Sequence, residues 1–231
     1  MANDTSPASL LELADRLASV TSQIDDAARE AGRDSTEVTT VVVTKFHPAV
    51  LVRDLFALGV RNFGESRHQE ASPKVAELGD LAATWHFIGQ LQSKKARQVS
   101  NYVQVIHSVD RESLVDALVS ESNRDVFLQV NLTDDPERGG VAPDELDALV
   151  ERAMATPGIT VLGLMAVAPV DAEPRASFSR VRELSERVQR SYPAAKALSI
   201  GMSGDFREAI LEGATHLRIG SAITGNRPAH G

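Results

Sequence analysis

A single (β/α)8 barrel preceded by an extra helix is the fold this sequence predicts, and three observations point to it. Short β-branched or apolar runs alternate with helical stretches about eight times along the chain, the pattern of a parallel sheet closed on itself. The length of 231 residues falls within the roughly 200 to 250 that one such barrel occupies. The doubly wound alternative lacks its signatures, since no G-x-G-x-x-G follows the first strand and no G-x-x-x-x-G-K-[ST] occurs anywhere. One domain therefore spans 1–231, with a helix over about 7–31 and the barrel over about 38–225.

The first helix carries Ser6 as cap, Pro7 at its first position and Gly32 as its stop. Leu10, Leu13, Leu17, Val20, Ile24 and Ala28 recur at spacings of three and four, which makes one stripe apolar. The first strand is the β-branched run 38–44, and further strands are expected over 60–63, 84–88, 103–107, 126–131, 159–165, 197–200 and 216–219. Helices fill the intervals over 48–58, 66–78, 92–100, 111–121, 143–155, 174–190 and 205–212, three of them opening at Pro48, Pro143 and Pro174. Glycine and proline punctuate single turns, and no low-complexity segment or interdomain linker interrupts the pattern.

Composition excludes several classes of function. A net charge of −8 and an aromatic content of 4% leave neither a basic face for phosphate backbones nor platforms for base stacking. The absence of cysteine removes disulfides, thiolate metal sites and cysteine nucleophiles. Residues 1–7 lack the basic flank and apolar core of a signal peptide, and no run approaches the ~18 apolar residues of a membrane span, so a soluble cytoplasmic protein is expected.

Chemistry is expected at the C-terminal ends of the strands. Lys45 closes the first strand, where a β-branched run has little reason to end in an ammonium group. A lysine after a strand is ordinarily a solvated surface residue. Here two turns, Gly201-Met202-Ser203-Gly204 and Gly220-Ser221, follow the seventh and eighth strands, the loops in which barrels hold phosphate. Glycine lets the backbone approach an anion, and Ser203 and Ser221 can donate hydroxyl hydrogen bonds. A Schiff-base lysine opposite a phosphate cradle suggests pyridoxal phosphate.

Other polar residues share that end: Asn62 and Glu65 on strand two, His86 late in strand three, His107 and Asp110 after strand four, and Asn131 closing strand five. Arg218 has the strand parity of His216. It is either a lumenal arginine paired to a carboxylate or a guanidinium facing a pyridine nitrogen, where a second positive charge disfavours ring protonation. His86 reads first as a hydrogen-bonded core histidine and Asn62 as a group satisfying barrel backbone, and both are also candidate cofactor contacts. Asp134, Asp135 and Glu137 form an acidic loop to which no metal is assigned.

The segments Val43-Thr44-Lys45, Phe63-Gly64-Glu65, Gln69-Glu70, Trp85-His86-Phe87-Ile88-Gly89, Leu91-Gln92-Ser93, Gly163-Leu164-Met165, Leu198-Ser199-Ile200-Gly201-Met202-Ser203 and Arg218-Ile219-Gly220-Ser221-Ala222-Ile223 resemble, in order, the pyridoxal phosphate homeostasis proteins. That family is similar in fold to the N-terminal barrel of alanine racemase, and the likeness covers nearly all of the chain after the first helix. The resemblance implies a lysine aldimine at Lys45, phosphate contacts around Ser203, Gly220 and Ser221, and Arg218 beside the pyridine nitrogen. It further implies a carrier or homeostasis role without established catalysis, with pyridoxal 5'-phosphate as ligand, apo-forms of enzymes that use it as recipients, and a monomer or weak homodimer. The sequence departs from the family pattern at Ser66, Gln90, Lys94 and Thr224, none of which is expected to touch the lysine or the phosphate turns.

The main alternative is an amino-acid racemase or lyase using the same aldimine. Stereoinversion needs a second acid/base on the opposite cofactor face. Tyr102 and Tyr192 are the only tyrosines, and each precedes a strand, which places them toward the other end of the barrel. The chain also ends soon after strand eight, leaving no room for a covering domain. A phosphosugar aldolase fits the fold but lacks the dense acid/base pairs it would need.

Overall fold

Each β-branched run pairs with the next, and the last returns to the first. A computed structural model describes residues 7–120 and 122–226. Its strands are β1 (Thr39–Val43), β2 (Asn62–Glu65), β3 (Thr84–Phe87), β4 (Val105–Val109), β5 (Arg124–Gln129), β6 (Ile159–Met165), β7 (Ala197–Ser199) and β8 (His216–Ile219). All neighbours are parallel, and β1 closes the barrel on β8 in the register Thr39↔His216 to Val42↔Ile219. The helices are α1 (Pro7–Glu30), α2 (Ala49–Ala57), α3 (His68–Glu77), α4 (Ala96–Ser100), α5 (Glu112–Ala117), α6 (Leu146–Met154), α7 (Pro174–Gln189), α8 (Phe206–Leu211) and α9 (Ser221–Thr224).

Two apolar clusters follow from strand alternation. The larger lies between sheet and helices and includes Val42, Phe63, Phe87, Leu128, Leu164, Leu217 and Ile219. The smaller, Val105, Phe127 and Met165, lies inside the barrel. There the filling is unusually polar: the His107 ring stacks on Phe127 at 4.7 Å and His216 meets the same ring edge-on at 4.9 Å.

Helix α1 lies against α8 and α9. Leu13, Val20, Ile24 and Ala28 are buried as the stripe requires, but Leu10 remains 36% exposed because it precedes the part of the helix that the barrel covers. Arg16 Nε donates to Ile223 O at 2.8 Å, tying α1 to the chain just beyond β8. The expected cap Ser6 and the expected helix end at Glu121 lie outside the described residues.

Several boundaries shift for local reasons. The stretch 92–100 divides into a 3-10 turn, Ser93–Lys95, and the short α4. The helix expected over 143–155 starts only at Leu146, because Val141 pairs with Val130 and extends the chain there. Gly163 sits in β6 next to a register shift between Val126 and Phe127 on β5. A Cβ at Gly163 would lie 1.9 Å from Ala197 O. Since rigid backbone cannot give way, Gly163→Ala is expected to destabilise the fold by about 3 kcal/mol or more, read as a lowered urea midpoint.

Candidate functional site

The C-terminal mouth of the barrel holds a cavity of about 650 Å3. Lys45, Met202, Ser203, Arg218, Gly220 and Ser221 all line it, and they come from the loops after β1 and β7 and from the end of β8. Asn62 and His86 do not line it. Asn62 opens β2 rather than ending it, and His86 Nε2 is 3.0 Å from Asn62 Oδ1.

Lys45 stands two residues beyond β1 in a tight turn, closed by a bond from His47 N to Thr44 O of 3.1 Å. Phe46 in that turn has φ of 68°, the one positive φ at a non-glycine among the described residues. Such a conformation is costly for a bulky residue and persists only where its surroundings enforce it. The Phe46 ring in turn carries the Arg67 guanidinium over its face at 4.9 Å.

Across the cavity, two backbone donors converge on one oxygen. Gly220 N and Ala222 N both donate to Ser203 Oγ, at 3.2 and 3.3 Å. The hydroxyl accepts from both, so its own proton remains available to a ligand. Met202 N donates to Asp205 Oδ1 at 2.6 Å, which folds the turn after β7. Gly201, with φ of 91°, must be glycine, because a Cβ there would come within 2.6 Å of Ala209 Cβ.

Arg218 is buried at the floor of the cavity. Its Nη1 donates to Ser199 O and to Ser199 Oγ at 2.6 and 2.7 Å, and its Nη2 donates to Ala166 O at 2.9 Å. No ion pair to Arg218 occurs among the described residues; Asp205 acts on it only at longer range. The carboxylate partner of the lumenal reading is thus replaced by carbonyls and a hydroxyl. Burial draws the guanidinium down to about 10, which leaves it charged at neutral pH.

Behind Arg218 runs a hydrogen-bonded chain whose direction follows from donor chemistry. Arginine only donates, so Ser199 Oγ accepts from it and passes its own proton to His107 Nδ1, 2.7 Å away. His107 Nε2 then donates to His86 Nδ1 at 2.9 Å, and His86 Nε2 donates to the carbonyl oxygen of Asn62. This order requires both imidazoles to be neutral. Burial depresses His86 to about 3, and burial, followed by the charges of His86, Arg218 and His216, holds His107 well below the ordinary range. Asn62 and His86 thereby support Arg218 from below.

Ser66 and Thr224, two of the departures from the family pattern, line the same cavity as Lys45. Ser66 immediately follows β2, and Thr224 ends α9, where Thr224 N donates to Gly220 O at 2.9 Å, so at Thr224 the expected separation from the phosphate turns does not hold. Neither tyrosine lines the cavity: Tyr102 Oη meets His68 Nδ1 at 3.2 Å on the outside of the barrel, and Tyr192 packs on the helix-side core. Asp135 uses its carboxylate to accept from Glu137 N, and Asn131 accepts from Thr133 N, so both shape the loop after β5. A strand-internal serine flanked by apolar Leu198 and Ile200 was the available signal for Ser199.

The chain matches the family model for the alanine racemase N-terminal domain over residues 16–228. It is 41% identical over 223 residues to the pyridoxal phosphate homeostasis protein of Pseudomonas aeruginosa, covering 93% of this chain and 96% of that one. The protein of the same name from Mycobacterium tuberculosis is 38% identical over 240 residues, with coverage of 94% and 93%. Among solved structures, PipY of Synechococcus elongatus with PLP bound superposes with a TM-score of 0.80 at 36% identity, covering 92% of this chain and all of PipY. Alanine racemase from Corynebacterium glutamicum shares the fold, with a TM-score of 0.71 at 16% identity over 63% of its own length. With the lysine turn, the paired backbone donors and the buried arginine lining one cavity of such a barrel, the chain belongs to the family of pyridoxal phosphate homeostasis proteins.

Proposed function

We propose that this protein binds pyridoxal 5'-phosphate through Lys45 and serves its homeostasis inside the cell, by carrying, delivering or buffering it, without catalysing amino-acid turnover. The observation that carries the reading is that an amine, an anion cradle and a buried guanidinium line one cavity of about 650 Å3. The residues fit the group. The Ser203 hydroxyl, held by Gly220 N and Ala222 N, offers its proton to a phosphate, and Arg218 offers a donor to a ring nitrogen. When bound, the cofactor supplies an aldehyde able to take an amine and a ring able to withdraw electrons.

Lys45, on the cavity wall, would be the amine that holds the cofactor at its aldehyde. Arg218 stays protonated and cannot accept a ring proton, so it disfavours a protonated pyridine and weakens the electron sink. No tyrosine reaches the cavity to act as a second acid/base. Recipients in this reading are apo-forms of enzymes that use pyridoxal phosphate, approached as a monomer or weak homodimer.

Ser203 tests the cradle. Loss of one charge-assisted hydrogen bond costs about 1.5 to 3 kcal/mol, so Ser203→Ala should weaken pyridoxal phosphate binding by roughly tenfold to a hundredfold. Pyridoxal, which has no phosphate, should bind the variant almost unchanged in the same titration. Equal weakening of both ligands would assign Ser203 to the barrel and not to the phosphate. Isotope exchange at the α-carbon of free amino acids should be negligible, and turnover of about 1 per second or faster would favour the racemase alternative.

A further inference from the structure

Beneath the Lys45 turn lies a buried ion pair that the cavity does not use. Lys74 Nζ, from α3, is 2.6 Å from Glu65 Oε1 at the end of β2. The same ammonium donates to Thr44 O at 2.9 Å, and Thr44 Oγ1 donates to Glu65 Oε1 at 2.8 Å. Thr44, Glu65 and Lys74 are all buried. The charge of Lys74, after burial itself, also keeps the neighbouring His47 below the usual imidazole range.

Stability is a poor explanation for this arrangement. Buried ion pairs seldom outperform apolar residues of the same volume, because desolvation offsets their attraction. This one leaves Glu65 Oε2 buried with no hydrogen-bond partner, a further cost. Its geometry, by contrast, converges on the residue before Lys45. Thr44 O receives both Lys74 Nζ and His47 N, so the ammonium grips the closing carbonyl of the turn that contains Lys45 and the strained Phe46.

We propose that Lys74, held by Glu65, is a positioning residue for Lys45: it clamps the Thr44 carbonyl and so holds the turn from which the amine meets an aldehyde. The inference rests on the assignment of Lys45 as the attachment point. It makes the clamp matter for covalent ligands and not for ligands that only occupy the cavity.

The test uses the full-length double variant Glu65→Leu/Lys74→Met, which removes both charges and leaves neither uncompensated. Two probes are titrated: pyridoxal 5'-phosphate, and pyridoxine 5'-phosphate, which carries an alcohol in place of the aldehyde. The variant should keep its thermal midpoint, bind the aldehyde about tenfold to a hundredfold more weakly than the wild type, and bind the alcohol within about twofold. An unchanged aldehyde-to-alcohol preference overturns the proposal. So does loss of the fold in the double variant, which would make the pair a stabilising element. A wild type that shows no preference for the aldehyde would instead refute the Lys45 assignment itself, and the proposal with it.

Discussion

Lys45→Ala is expected to abolish covalent retention of pyridoxal phosphate while leaving the barrel folded. The side chain is only partly buried, and the turn that bears it is closed by backbone and by Lys74, so truncation removes the amine without removing the support. In the proposed reading the Ser203 hydroxyl, held by Gly220 N and Ala222 N, remains to hold the phosphate, which makes the residual binding non-covalent. Losing the carbon–nitrogen bond should cost about 3 kcal/mol or more, a drop in affinity of roughly a hundredfold. The visible absorbance that borohydride bleaches in the wild type should be missing from the variant. A variant that keeps a reducible chromophore would place the attachment elsewhere.

The second large effect is expected in acid. His86 at about 3, His216 at about 4 and His107 well below its usual value are neutral in the folded state, chiefly because burial opposes charging them. In the unfolded chain each titrates near 6.5. Between those limits the unfolded state binds more protons, so stability is fully present above about pH 6.5 and falls as pH drops toward the folded values. The slope is up to about 1.4 kcal/mol per pH unit for each histidine. Asp125 and Asp205, raised by burial, act in the opposite sense. The thermal midpoint should therefore decline steadily from pH 6.5 to pH 5, above the range in which ordinary carboxylates titrate. His216→Gln should flatten that decline by about one histidine's share. A midpoint that is flat across the window in the wild type would mean that the histidines are charged inside the barrel.

Much of this molecule was readable from local pattern. Strands β6 and β8 fall on the expected residues, because β-branched and apolar runs are bounded there by turn residues on both sides. Strand β2 was misplaced by two positions, since Gly64 and Glu65 look like the start of a turn; only the buried contact of Glu65 with Lys74, nine residues on, makes a strand end in a carboxylate tolerable. The lysine and the two glycine-serine turns declared themselves because each has a local signature, and closure of β1 on β8 places them on adjacent walls. The supports were hidden for the opposite reason. Ser199 reaches His107 across 92 residues of sequence, and His107 reaches His86 across 21, so no spacing rule connects them. The polar filling of the lumen emerges only when the barrel closes.

The central claim is that Lys45 is where the cofactor's aldehyde is held. Borohydride reduction of the cofactor-loaded wild type, followed by peptide mapping, tests it most directly. The account predicts a single pyridoxyl modification, on the peptide containing Lys45. Modification of Lys94, Lys95 or Lys74 in place of Lys45, or no modification of any lysine, would contradict it.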